Sequence, residues 1–196
     1  RHKLILIVDE IHNDLIYPNL KHVTFPLVAD GFFEEFILMT STTKTFNIAG
    51  GLMGNVIIPN ARLRKKFAKA NIATGESPNR FGMIMGERAM DEGQLWLKSL
   101  MEYIEENRNL FDKEINSIPR VRSMRLEATY LAWVDFSALE KEESSIMKKL
   151  IEDAKIIAKP GSSFGLGGNK FVRFNLATSR SIIKEAIERI KLVFNK

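Results

Sequence analysis

The sequence predicts an α/β protein: part of a large domain with a mostly parallel sheet, followed by a small α+β domain. Three features lead there. Short, continuous apolar runs end on clusters of polar residues, a pattern of buried parallel strands. A long middle stretch carries apolar residues at helical spacing. From Val121 onward, strand-like and helix-like segments alternate closely.

Leu4–Val8 is the first apolar run and ends on Asp9-Glu10. Phe36–Met39 is the second and ends on Thr40-Ser41-Thr42-Thr43-Lys44; Asn55–Ile58 is the third, stopped by Pro59. Asn60 is placed to cap a helix reaching about Ala73, and Thr74 to Asn79 reads as a loop. The helical stretch beyond it is expected in two pieces broken near Gly93. Leu97, Met101, Ile104, Phe111 and Ile115 form the apolar stripe of the second piece, which Pro119 ends. Tyr130–Phe136 and Lys170–Leu176 read as strands, and Ser144–Ala154 as a helix. A last helix is expected from about Ser179 to Phe194, with Ser179 or Ser181 as its cap and Glu185 and Glu188 on its polar side. The domain boundary is expected inside the long helix, giving a first domain of residues 1–110 and a second of 111–196. Arg1-His2-Lys3 runs directly into an apolar strand, which predicts a chain that starts inside a domain.

Composition narrows the class. Of 196 residues, 45% are hydrophobic and 27% charged, which is globular rather than disordered. With no cysteine, a disulfide framework and thiolate metal sites are excluded; this fits a reducing cytoplasm, the expected location. No apolar run reaches the roughly 18 residues of a membrane helix, and no signal peptide opens the sequence. The net charge is +5, but the cations are scattered. The one dense group, Arg62, Arg64, Lys65, Lys66 and Lys69, fits the polar face of an amphipathic helix, so neither nucleic acid nor membrane is expected as a partner.

The chemistry concentrates at two strand ends. Ligands of open α/β sheets bind outside the carboxyl ends of the strands, and Asp9 and Lys44 both sit there. Lys44 follows four hydroxyl residues, whose O–H groups suit a phosphate, and its amine suits Schiff-base chemistry when partly buried. Read alone, a hydroxyl-rich turn ending in lysine is more often a solvated loop. Asp9-Glu10-Ile11-His12 adds two carboxylates and an imidazole at the neighbouring strand end, where a helix cap or a surface histidine is the plainer reading.

Taken in order, the motifs at 8–15, 41–51, 127–136 and 160–177 resemble those of fold type I pyridoxal-phosphate (PLP) enzymes of the class I/II aminotransferase superfamily. The resemblance implies that residues 1–110 belong to the PLP-transferase large domain and that pyridoxal 5′-phosphate is the cofactor. It assigns Lys44 as the Schiff-base lysine and Asp9 as the partner of the ring nitrogen, both catalytic. His12 lies near the ring oxygen, Ser41 and Thr43 bind phosphate, and Arg173 binds the substrate α-carboxylate. Asp9-Glu10-Ile11-His12-Asn13-Asp14-Leu15, Lys44-Thr45-Phe46-Asn47-Ile48-Ala49-Gly50 and Pro160-Gly161-Ser162-Ser163-Phe164-Gly165 are most similar to the cystathionine β-lyase and cystalysin-like C–S lyase branch.

That branch implies β-elimination from small sulfur amino acids and a homodimer. The alternatives are a class I/II aminotransferase, which uses the same residues, and an inactive fragment or interaction module. Two positions depart from the wider superfamily: His12 stands where a tyrosine is common, and Leu52 where a phosphate-binding arginine often follows the lysine. Family members are about twice this length. Their N-terminal half supplies a phosphate turn, the aromatic residue stacked on the ring and an asparagine at the ring oxygen, so the sequence is expected to carry half a site.

Overall fold

The computed structural model describes residues 4–31, 34–75, 77–139 and 141–195. Arg1-His2-Lys3, and Glu76 of the expected 74–79 loop, lie outside the described residues. The chain divides into two compact units, Arg1–Leu100 and Met101–Lys196.

The first unit holds a three-stranded sheet in the order β1 (Leu6–Asp9), β2 (Phe36–Thr40), β3 (Asn55–Ile57). β1 and β2 are parallel, with Asp9 opposite Met39, so both carboxyl ends lie on one edge. β3 pairs antiparallel to β2, with Thr40 opposite Asn55. A short return suffices for an antiparallel neighbour, whereas a parallel one needs a long crossover. The return from β2 contains the short helix α1 (Thr42–Thr45) and a 3-10 turn at Ala49–Gly51.

The expectation that the first strand is buried is not met within this unit. Leu4 is 66% and Ile7 68% exposed; only Val8 packs, against the cluster of Ala29, Phe36 and Leu38. Phe25 closes that cluster edge-on to Phe36, with ring centroids 5.2 Å apart. The reason is positional. A parallel strand is buried only when layers cover both its faces, and β1 is the sheet's edge strand here.

Three helices follow: α2 (Ala61–Ala73), α3 (Arg80–Glu92) and α4 (Gln94–Ile115). Asn60 caps α2 as expected, its Oδ1 accepting from the Leu63 N–H at 2.9 Å. Arg64 of the basic cluster turns back to donate to the carbonyls of Ile58 and Pro59. No residue of α2 is buried in the described chain, so its expected apolar face, Phe67 and Ile72 included, is open. The break at Gly93 between α3 and α4 falls where it was expected. A Cβ there would meet the Ala89 carbonyl oxygen at 2.3 Å and the Phe46 ring at 2.4 Å. Among the described residues, no helix is long and apolar enough to cross a membrane.

The second unit is an antiparallel sheet in the order β4 (Arg122–Ser123), β5 (Leu131–Asp135), β7 (Phe171–Asn175), β6 (Lys159–Pro160). The two-residue strands β4 and β6 are too short to leave an alternation in sequence. Ala132 and Val134 of β5 and Val172 and Phe174 of β7 point to one face. They pack there with Phe111 and Ile115 of α4 and the apolar stripe of α6 (Arg180–Phe194): Ile183, Ile187, Ile190 and Phe194. The stripe follows helical spacing, which is why α6 was legible. Ser179 occupies the N-cap position of α6 but makes no capping bond; its hydroxyl pairs with that of Ser181 at 3.0 Å. The expected single helix over 144–154 is α5 (Glu143–Lys148) continued by one wide π turn, Lys149–Asp153.

Candidate active site

Everything at the candidate site follows from the edge where β1 and β2 end together. Ser41 leaves β2 in extended conformation and caps α1, its Oγ accepting from the Thr43 N–H at 3.1 Å. The same hydroxyl donates to the Met53 carbonyl at 2.7 Å and pairs with Thr43 Oγ1 at 2.7 Å. Thr45 Oγ1 donates to Asp14 Oδ2 at 2.9 Å, tying α1 to the turn after β1. Ser41, Thr42, Thr43 and Thr45 are all buried.

Lys44, within α1, is half-buried and has no ion-pair partner among the described residues. Thr42 Oγ1 is buried without a hydrogen-bond partner among the described residues. A buried orphan hydroxyl is costly unless a ligand or water completes it. An uncommitted amine, an orphan hydroxyl and a hydroxyl pair at one strand end suit a group that has both an aldehyde and a phosphate. On that test the residues fit pyridoxal phosphate.

Asp9 ends β1 on the same edge. It is exposed, and its Oδ1 accepts from the Ile11 N–H at 3.1 Å, which starts the turn carrying His12. His12 is partly buried in that turn, and its carbonyl accepts from the Leu15 N–H at 3.0 Å. Leu52 lies in the left-handed region (φ 47°) at the end of the 3-10 turn and is 76% exposed. Arg173 belongs to the second unit, on β7 opposite Trp133.

Several supporting residues were missed from sequence. Glu10, read only as a second carboxylate, is 7% exposed and is a clamp. It accepts from Thr24 Oγ1 and from the Phe25 N–H, both at 2.7 Å, and pairs with His22 at 3.1 Å. Burial pushes its carboxyl up, but these bonds and the His22 charge outweigh that and hold it below the ordinary glutamate value. Because the folded pKa is the lower one, its contribution is complete above the unfolded pKa. It is lost as pH falls through the folded value. Glu10→Gln is therefore expected to lower stability by roughly 1–3 kcal/mol near neutral pH, a deficit that shrinks as pH falls through the folded pKa of Glu10. Urea unfolding of both proteins across pH checks this; an equal deficit at every pH would contradict it.

The second missed feature is a pair of glycines on α3. A Cβ on Gly82 would lie 2.0 Å from the Gly51 carbonyl oxygen, and one on Gly86 2.9 Å from Thr42 Oγ1. α3 thus presses a nearly bare backbone against the Lys44 turn. The Gly82-x-x-x-Gly86 spacing, one helical turn apart, was the available signal.

A family profile described as aminotransferase class I and II matches residues 1–190. Cystathionine beta-lyase PatB of Bacillus subtilis is 33% identical over 192 residues, covering 97% of this chain and 50% of that protein. Aspartate aminotransferase of Pyrococcus abyssi is 28% identical over 199 residues, covering 100% of this chain and 50% of that protein. The crystal structure of cystalysin from Treponema denticola, which contains a pyridoxal 5′-phosphate cofactor, matches with a TM-score of 0.92. It is 35% identical, over 97% of this chain and 49% of its own. The chain spans about half the length of the curated relatives it matches.

Proposed function

The chain belongs to the aminotransferase class I and II family, and from that premise we propose that it is the lysine-bearing half of a PLP-dependent C–S β-lyase acting on a small sulfur amino acid. The observation that carries this reading is Lys44: a half-buried amine without an ion-pair partner among the described residues, on the sheet edge that Asp9 shares. The similarity to proteins named cystathionine beta-lyase and cystalysin supports the lyase branch.

In this reading Lys44 binds pyridoxal phosphate covalently, Asp9 pairs with its ring nitrogen, and His12 lies toward the ring oxygen. Ser41 and Thr43 turn toward the phosphate, with Thr42 Oγ1 as a further donor, and the remaining phosphate ligands come from outside this stretch. Residues 1–110 form part of the cofactor domain and 111–196 the small domain. The working enzyme is a cytoplasmic homodimer. When bound, the cofactor supplies an electron sink for the pair left by a bond broken at the substrate α-carbon.

The chain's own residues do the rest. Arg173 holds the substrate carboxylate by a two-point fork, fixing which α-carbon bond faces the base. The Lys44 amine removes the α-proton. The Asp9 carboxylate keeps the ring nitrogen protonated by accepting its N–H. The thiolate would depart from the β-carbon and take up a proton, and hydrolysis of the remaining three-carbon enamine by one water would give pyruvate and ammonia.

The similarity to an aspartate aminotransferase supports a second reading, a transaminase in which the Lys44 amine would both remove the α-proton and give it back, with no thiolate leaving. Incubating the full-length holoenzyme with cystathionine separates the two. Release of pyruvate and ammonia without any keto acid is expected; turnover that depends on an added keto-acid acceptor would overturn the lyase reading.

A further inference from the structure

The open face of the second unit's sheet carries an arginine held by aromatic rings. In the β5–β7 register Trp133 lies directly opposite Arg173, and Lys159 of β6 lies opposite it on the other side. Directly opposed residues of an antiparallel pair project to the same face, so these three point away from the Val134 and Val172 core. The Arg173 Cζ lies 4.3 Å from the centroid of the Phe164 ring. Phe164 meets Trp133 edge-on, with centroids 5.6 Å apart, and Trp133 stacks on Phe171 at 5.4 Å. Arg173 forms no ion pair among the described residues, and its nearest cross-strand charge, Lys159, is of like sign. The Phe164 ring therefore packs against a guanidinium that has no ion pair among the described residues.

Phe164 is itself 50% exposed, on the loop between β6 and β7, so something must hold the loop. Glu143 does. Its carboxylate accepts from the Ser162 N–H and the Lys170 N–H, each at 3.2 Å, and from the Ser162 hydroxyl. One side chain thereby ties both ends of the loop to the start of α5. Burial pushes the Glu143 carboxyl up, but these bonds outweigh it and the net shift is downward, as expected for a charged clamp. The loop also closes on itself: a Cβ on Gly161 would stand 2.1 Å from the Gly168 carbonyl oxygen.

We propose that Phe164, on a loop clamped by Glu143, is a positioning residue that holds the Arg173 guanidinium ready for the substrate carboxylate. The face of the fork away from Phe164 and its edge N–H donors stay available to the ligand. The proposal rests on the reading of Arg173 as the carboxylate-binding residue.

The test uses the full-length holoenzyme and two readouts. One is the steady-state split between KM and kcat. The other is the Kd, by calorimetry, of 3-(methylthio)propionate, a sulfur-containing carboxylate that has no amine to react with the cofactor. Phe164→Leu is expected to raise both KM and Kd about fivefold with kcat within about twofold, the size of an exposed cation–π contact. Phe164→Tyr is expected to restore both, and Glu143→Gln to shift Kd in the same direction as Phe164→Leu. Arg173→Lys is the control, because it removes the fork itself and should weaken Kd more. A Phe164→Leu protein with unchanged Kd, alongside a weakened Arg173→Lys, overturns this proposal alone. An unchanged Kd in Arg173→Lys overturns the role of Arg173. A fall in kcat with KM unchanged would also overturn the positioning role.

Discussion

Lys44→Ala is expected to lower turnover of the full-length holoenzyme by about 10³-fold or more, with loss of covalent cofactor attachment. In the proposed function two tasks meet in one amine. It would form the bond to the cofactor, and once substrate displaced it, the same amine would be the base at the α-carbon. A positioned general base alone contributes roughly 10²–10⁴-fold. The residues flanking Lys44 along the chain, Ser41, Thr42, Thr43 and Thr45, carry only hydroxyls, which are poor bases at neutral pH. Lys44→Arg separates charge from chemistry, since a guanidinium keeps the cation but neither forms the imine nor accepts the proton. Borohydride reduction followed by peptide mapping should place the cofactor on the peptide containing Lys44 in the parent and on no peptide in either variant. Partial rescue of Lys44→Ala by added small amines would identify the lost function as the base. Turnover within tenfold of the parent, or cofactor fixed to another lysine, would rule out the assignment.

Gly82→Ala is expected to be the most damaging small substitution near the site, destabilising the first unit by about 3 kcal/mol. Intrinsic helix propensity argues the other way, since alanine is better than glycine inside a helix by roughly 1 kcal/mol. The steric effect prevails because of what the new methyl meets: the Gly51 carbonyl oxygen at 2.0 Å and its carbon at 2.9 Å. Both are backbone atoms of the short turn that follows Lys44, and neither can swing aside as a side chain does. Gly51 lies next to Leu52, which is already left-handed, so the turn has little slack. Gly86→Ala is the comparison. Its nearest atoms are the Met53 Cε at 2.5 Å and Thr42 Oγ1 at 2.9 Å, and a methionine end gives way cheaply. Gly86→Ala should therefore cost clearly less in a urea melt, and both variants should weaken cofactor binding by shifting the Lys44 turn. A Gly82→Ala protein as stable as its parent would show that α3 does not brace the turn.

How much of the site was legible depended on whether its signal lay along the chain or between segments. The roles proposed for Asp9 and Lys44 were suggested by local chemistry: acidic and amine groups placed where apolar runs stop. Arg173, inside a strand, was assigned only through the resemblance of Phe171-Val172-Arg173-Phe174-Asn175 to the family's motif. Glu10 was not legible, because a buried carboxylate and an exposed one look alike until Thr24, Phe25 and His22 are seen to converge on it. Thr42 was passed over in favour of Ser41 and Thr43. Their hydroxyls prove to be engaged with each other and with Met53, while its own is the orphan.

By itself, the sequence determined the positions of the strand ends, the capped helix after Asn60, the break at Gly93 and the apolar stripe of α6. These follow from periodicity or from residue types at fixed spacing, which are properties of neighbouring positions; the family was read from the resemblance of four motifs in order. Only the tertiary structure decided that β3 runs antiparallel, that β1 is an open edge within its unit, and that α3 meets the Lys44 turn glycine against glycine. It alone also tied Glu143 to the loop bearing Phe164. Each of these is a contact between segments distant in sequence, set by how close two backbones or side chains can approach, and such distances are not encoded in any local pattern.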